Sequence, residues 1–350
     1  MAKAKRKMLP KDFEALLKQG DLNVLKAVFD ACDVDARGGY SKQSALAFNE
    51  CPDELARWLV ERGADIAASD SYGETPLHSR AGHWQGNIRI LLELGADVNC
   101  GEGGRGTPLH KAAAVGNAAN VRILLDHGAL IDALDGHGLT PLEHALQRCS
   151  NPGIEGMADV AEVLLGAGAR STPQSKEFVT RIGTNFEFHR AGYNKESVDA
   201  ASAALDRLYA LFDVPPVPRR AMHDGKSPIA VKAKDWEDQH QELWELLVPS
   251  SGPADTVQGE VIRISGRIHR ELYGNGGVNW DAGFKKMATA FLEHVGAGKP
   301  LPGPQLDEAA AIVAALRRKD GDTHRLCALG VAWVGLNPKP VKLPAPDYDR

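Results

Sequence analysis

The chain has 350 residues, 43% hydrophobic and 25% charged, which is ordinary globular usage and excludes a chain that is disordered, collagen-like or coiled-coil throughout. At roughly 100–200 residues per domain, this length predicts two or three packed units. Lys and Arg number 41 against 46 Asp and Glu, a formal charge of −5, so no overall field draws in phosphates or anionic lipid, and neither nucleic acid nor a membrane is expected as a partner.

At the N-terminus Lys3, Lys5, Arg6 and Lys7 precede no apolar segment, because Pro10, Lys11 and Asp12 interrupt at once; no secretion signal is expected. Phe13 to Val34 follows, with Leu16, Leu17, Leu25, Val28 and Phe29 spaced as a helix-turn-helix. Ser44-Ala45-Leu46-Ala47 and then Leu59-Val60 with Gly63-Ala64-Asp65 form a weak copy of a pattern that becomes plain downstream. Thr75-Pro76-Leu77-His78 recurs as Thr107-Pro108-Leu109-His110 and, with one change, as Thr140-Pro141-Leu142-Glu143. The first two copies continue into Asn87-Ile88-Arg89-Ile90-Leu91-Leu92 with Gly95-Ala96-Asp97, and Asn120-Val121-Arg122-Ile123-Leu124-Leu125 with Gly128-Ala129. In each unit Thr serves as the helix N-cap and Pro occupies the first turn, where its missing N–H costs nothing. A second helix carries the aliphatic stripe and ends at a Gly suited to a left-handed cap. One such unit cannot bury its own stripe, so units must stack, with Leu91, Leu92, Leu124, Leu125, Leu164 and Leu165 predicted to line the shared core.

This repeat resembles the ankyrin repeat. The resemblance implies an all-α solenoid of about five repeats over residues 8–170. Its first repeat is degenerate, and its last has an enlarged inter-helix loop, Cys149 to Gly156. It also implies that His78 and His110 are structural, bonding within and between repeats, with Glu143 in the equivalent place of the last unit and His144 one residue beyond. Partner recognition is implied at the turn tips and on the exposed side of the first helices: Asp70, Ser71, Tyr72, Glu74, His83 and Trp84, then Glu102, Arg105, Ala114 and Val115, then Asp135, His137, Leu139, Gln147 and Arg148. Tyr72, Trp84, Arg105 and Arg148 are residue types that anchor interfaces. Trp84 has a second reading, as an aromatic filling space beside the first turn.

After Ala169 the periodicity stops. Lys176 to Arg190 and Glu196 to Leu211 read as helices, a 171–213 extension packed on the last repeat. Pro215, Pro216 and Pro218 mark a linker over 214–232. An all-α domain is predicted over 233–336, with helices over Trp236–Leu247, Ala254–Leu272, Ala282–Val295, Leu306–Arg318 and His324–Leu336, before a mobile Pro-rich tail, 337–350. The last of these helices contains the longest apolar run, Leu326–Leu336, too short to cross ~30 Å of hydrocarbon.

Five cysteines, Cys32, Cys51, Cys100, Cys149 and Cys327, lack C-x-x-C spacing, which argues against a disulfide framework or structural zinc and fits a reducing cytoplasm. Glu237-x-x-His240 matches a di-iron carboxylate-histidine spacing, but the chain shows no second copy in a comparable helix, and a solvated helix face is the plainer account. Glu260, Arg263, His269, Glu271, Asn275, Asn279 and Asp281 could converge on a glycine turn as a polar pocket, or simply cap a helix-turn-helix. Gly274-x-Gly276-Gly277 lacks the strand and spacing of a phosphate cradle, and there is no G-x-S-x-G or H-E-x-x-H. No catalytic residue, metal or cofactor is assigned. The expectation is an interaction protein whose repeats bind a partner protein. The alternatives are an immunity or antitoxin-type inhibitor that masks a toxin, and an enzyme whose second half acts on a substrate recruited by the repeats.

Overall fold

A computed structural model of the chain describes residues 4–101 and 104–348. Among them are sixteen α-helices and three short strands, in two compact units. The first runs to Phe186 and resumes over Asn194–Val217; the second comprises Glu187–Tyr193 and everything from Pro218 on.

The first unit opens with β1 (Arg6–Met8), α1 (Phe13–Gln19) and α2 (Leu22–Ala31). Gly20 ends α1 at φ 72°, and the Asp21 carboxylate starts α2 by accepting the Asn23 and Val24 amides. The chain then leaves the helical path: β2 (Cys32–Gly38) pairs in parallel with β1 and antiparallel with β3 (Gln43–Ser44). Val34 and Ala36 alternate with Asp33, Asp35 and Arg37 there, a strand period that the helical repeat conceals.

From Ala45 the repeats proper begin. The first inner segment is only a 3₁₀ turn, Ala45–Ala47, and lacks the Thr-Pro start of the later units; α3 (Asp53–Glu61) is its outer helix. The pairs α4 (Pro76–Ala81) and α5 (Arg89–Glu93), α6 (Pro108–Ala114) and α7 (Ala118–Asp126), and α8 (Pro141–Arg148) and α9 (Ile154–Gly166) follow. Thr75, Thr107 and Thr140 cap the inner helices, each with Pro in the first turn. Inner helices stack in succession, α4 on α6 on α8, and outer helices likewise, α3 on α5 and α7 on α9. Leu77, Leu91, Leu109, Leu124, Leu142 and Leu164 are fully buried between them. Leu125 and Leu165, expected in this core, are only half-buried, because each lies one position further round its helix than the leucine before it. The enlarged loop of the last repeat tightens into a 3₁₀ turn over Asn151–Gly153 that feeds α9. There the backbones of two repeats touch: a Cβ on Gly156 would sit 3.0 Å from the Gly116 carbonyl oxygen. Next come α10 (Pro173–His189) and α11 (Val198–Phe212), and α11 lies along α9, with Arg207 2.6 Å from Asp159.

In the second unit α12 (Trp236–Leu247), α14 (Ala282–Val295) and α16 (Thr323–Leu336) surround α13 (Val257–His269), while α15 (Gly303–Leu316) packs on α14 and α16. Every residue from Val257 to Ser265 is buried, so α13 is enclosed on all sides. Part of the segment expected as a linker belongs to this unit. Arg220 stacks 4.2 Å over Phe188 and donates to the carbonyls of Trp244, Glu245 and Val248 at the C-terminus of α12, while Ile229 enters the core.

The tail expected to be mobile is instead tied down as far as it is described. The Ile229 amide donates to Pro338 O at 2.7 Å, and Val257 and Val341 bond through their backbones at 2.8 Å. Gln258 donates to the carbonyls of Asn337 and Lys339, and Tyr348 Oη donates to Glu260 Oε1 at 2.8 Å. Proline-rich composition signalled mobility, but Pro338 and Pro340 leave their carbonyls free to accept, and Leu343 and Tyr348 supply apolar contact.

Candidate protein-interaction surface

Two of the hairpin tips are built by an aspartate. Asp70 Oδ1 accepts the amides of Tyr72 and Glu74 at 2.8 and 2.9 Å, and Asp135 Oδ1 accepts those of His137 and Leu139 at 2.8 and 3.0 Å. The tips of neighbouring units are tied together: Ser71 donates to the Ser41 carbonyl through both its amide and its hydroxyl. Behind the tips His78 Nδ1 accepts the Thr75 amide, while its Nε2–H donates to Gly106 O in the next unit at 3.1 Å. His110 repeats this with the Thr107 amide and Leu139 O, at 3.0 and 3.1 Å. Only the neutral ring can do both. Burial pushes both imidazoles below their ordinary value, consistent with that form. In the last unit Glu143 takes over, its Oε2 accepting from Thr140 and its Oε1 from Thr172 at 2.6 Å. The extra His144 turns aside to Asp135 Oδ2 at 2.7 Å.

On this frame Ser71, Tyr72, Trp84, Arg105, Val115, His137, Gln147 and Arg148 are exposed, whereas Asp70, Glu74, His83 and Ala114 are half-buried. Asp135 and Leu139, named with them at the last tip, are buried and serve the turn; Glu102 lies outside the described residues. His83, Val115 and Arg148 hold equivalent positions at the ends of three successive inner helices. Glu74 is spent on Lys111 of the next unit, and Asp70 on backbone amides, so Arg105 and Arg148 are the charges left without an ion pair among the described tip and inner-helix residues named here.

Trp84 is 69% exposed. Its ring stacks on His83 at 6.2 Å, and its carbonyl accepts from Asn117 of the next unit; the exposure of the ring does not favour the space-filling reading of this tryptophan. Tyr72, 43% exposed, stacks at 6.5 Å on Tyr40, which is 92% exposed at the preceding tip. Tyr40 was not among the residues picked from the sequence, because the first repeats lack the Thr-Pro motif that locates a tip. A buried residue was missed too. Arg80, wholly enclosed, donates to the carbonyls of Leu46, Asn87 and Cys51, joining α4 to the repeat before it.

These stacked hairpins match known sequences. Two family models described as ankyrin repeats (many copies) match residues 44–83 and 91–145. The N-terminal half is an ankyrin-repeat array. Neither match reaches the second half, and no curated protein matches the chain.

Beyond the ankyrin array, the residues considered as one polar pocket separate into three clusters. Glu260 and Arg263 form a buried pair, Oε1 to Nη2 2.7 Å, closed by the Ala254 amide and Tyr348. Burial pushes the Glu260 carboxyl up, but Arg263 and these donors outweigh it and hold it below the usual range. Glu271 accepts from Asn275 Nδ2, Asn279 N and Asn279 Nδ2 and so shapes the glycine turn, while Asp281 caps α14. His269 faces Thr323 and His324. Glu237 is exposed, whereas His240 turns inward to Ser265 Oγ at 3.1 Å, where burial pushes it down to about 4; the two do not share a site. Burial likewise pushes the Cys51 thiol up to about 11 and those of Cys149 and Cys327 up to about 12, which leaves these three poor nucleophiles. Among the described residues no group of three or more His, Cys, Asp or Glu side chains is placed to hold a metal, and no helix is long and apolar enough to cross a membrane.

Proposed function

We propose that the ankyrin array binds a partner protein through its tips and the exposed ends of its inner helices. Ankyrin repeats are in general protein-interaction modules. What supports this surface in particular is the exposure of Trp84, Tyr72 and Tyr40, large aromatic side chains held outward on a scaffold whose own core is filled. Burying them against a partner supplies affinity, and Arg105 and Arg148 at the rim supply selectivity and encounter rate.

A solenoid presents such a surface rigidly, because the Asp70 and Asp135 tips are fixed by their own carboxylates and Ser71 ties its tip to the one before it. Masking a toxin is one use of it, and mixing the chain with candidate toxins separates that use from scaffolding. The test is affinity capture from the native host with wild type and with the triple substitution Tyr72→Ala, Trp84→Ala and Arg105→Ala. The variant is expected to unfold at the wild-type midpoint and lose the captured protein. An unchanged catch from a folded variant rejects the proposed surface.

A further inference from the structure

In the second unit His269, Tyr273 and His324 form a ring cluster. His269 ends α13 and His324 lies in the first turn of α16, two helices packed along their length. Their ring centroids are 4.6 Å apart with the planes at 72°. Tyr273 stacks on His269 at 5.2 Å and meets His324 edge-on at 4.9 Å. After His269 the helix widens into a π-turn, Arg270–Gly274, which carries Tyr273, a distortion frequent at functional sites.

We propose that His269 and His324 form a two-histidine site for a borderline divalent transition ion of the zinc or copper class, with solvent completing its coordination and the Tyr273 ring packed against both imidazoles. Three observations carry this. The separation fits: two imidazoles sharing one ion through metal–nitrogen bonds of about 2.0–2.1 Å, at angles between square and tetrahedral, place their centroids ~4.5–5 Å apart. The orientation fits as well. His269 Nδ1 lies 3.0 Å from Thr323 Oγ1; donation to that hydroxyl leaves the Nε2 lone pair for an ion, the arrangement by which outer partners orient metal-binding histidines. Access is open, since His324 is exposed and Tyr273 is 72% exposed.

The test is calorimetric titration of the tag-free full chain with zinc chloride near neutral pH, with magnesium as control. Saturable one-to-one zinc binding below millimolar concentration is expected, without response to magnesium, which prefers oxygen donors. His324→Ala, an exposed position, should abolish it while leaving the unfolding midpoint unchanged, and Thr323→Val should weaken it about tenfold or more. The side-chain resonances of both histidines should move together as zinc is added to the wild type. Absence of saturable binding, or equal affinity in His324→Ala, overturns the site.

Discussion

His78 and His110 hold the array together by accepting with one ring nitrogen and donating with the other across the repeat boundary. His110→Ala leaves the Thr107 amide and the Leu139 carbonyl without these partners and opens a cavity, at an expected cost of about 2–4 kcal/mol, readable by urea denaturation. The pH dependence follows from the direction of the shifts. Because both folded values lie below the unfolded one, the unfolded chain binds more protons as acid is added. The stability these rings confer is therefore complete above about pH 6.5 and declines as the pH falls below it. Denaturation at pH 7.5 and 5.5 should show a smaller acid loss for His78→Gln/His110→Gln than for wild type; an equal loss would place the acid sensitivity elsewhere. At this scale the sequence was most legible: Thr, Pro, Leu and His at fixed offsets specify a cap and its partner. Glu143 could be placed as their substitute, but not its bond to Thr172, since that depends on where the chain turns after the last repeat.

Helix pairs depend on contacts that no motif announces. Arg80 sits in α4, and its guanidinium is enclosed by three carbonyls of two repeats. Arg80→Ala is expected to destabilise the first unit by about 3–5 kcal/mol, because the cavity and the unpaired carbonyls add. Arg80→Lys should recover only part of this, a point charge replacing a planar fork. Tail docking makes a parallel case in the second unit. Tyr348→Phe removes the hydroxyl that donates to the enclosed Glu260 carboxylate, a charged acceptor, and should cost about 1.5–3 kcal/mol; deuterium exchange should then quicken at the amides of Val257 and Leu343. No change in exchange would mean that the tail is not held there in solution. Neither β2 nor the docked tail was legible beforehand. A seven-residue strand is outvoted by a helical repeat, and backbone carbonyls that accept from a distant glutamine leave no mark on composition. The helices of the second half were legible to within a few residues, since Pro and Gly punctuate them.

For the molecule as a whole, stacking is what turns weak local signals into a surface: each unit lends its neighbour apolar cover and fixes the next tip through bonds such as Ser71 to Ser41. A solenoid so braced keeps its aromatics outward at little entropic cost on binding. The most direct test of partner binding is deuterium exchange on the full chain with and without its captured protein. Protection is expected around Tyr40, Asp70–Glu74, His83–Trp84, Arg105, Val115, His137 and Gln147–Arg148, while the outer helices α5 and α7 remain as in the free chain. Protection confined to the second unit, or to the outer helices alone, would contradict the account.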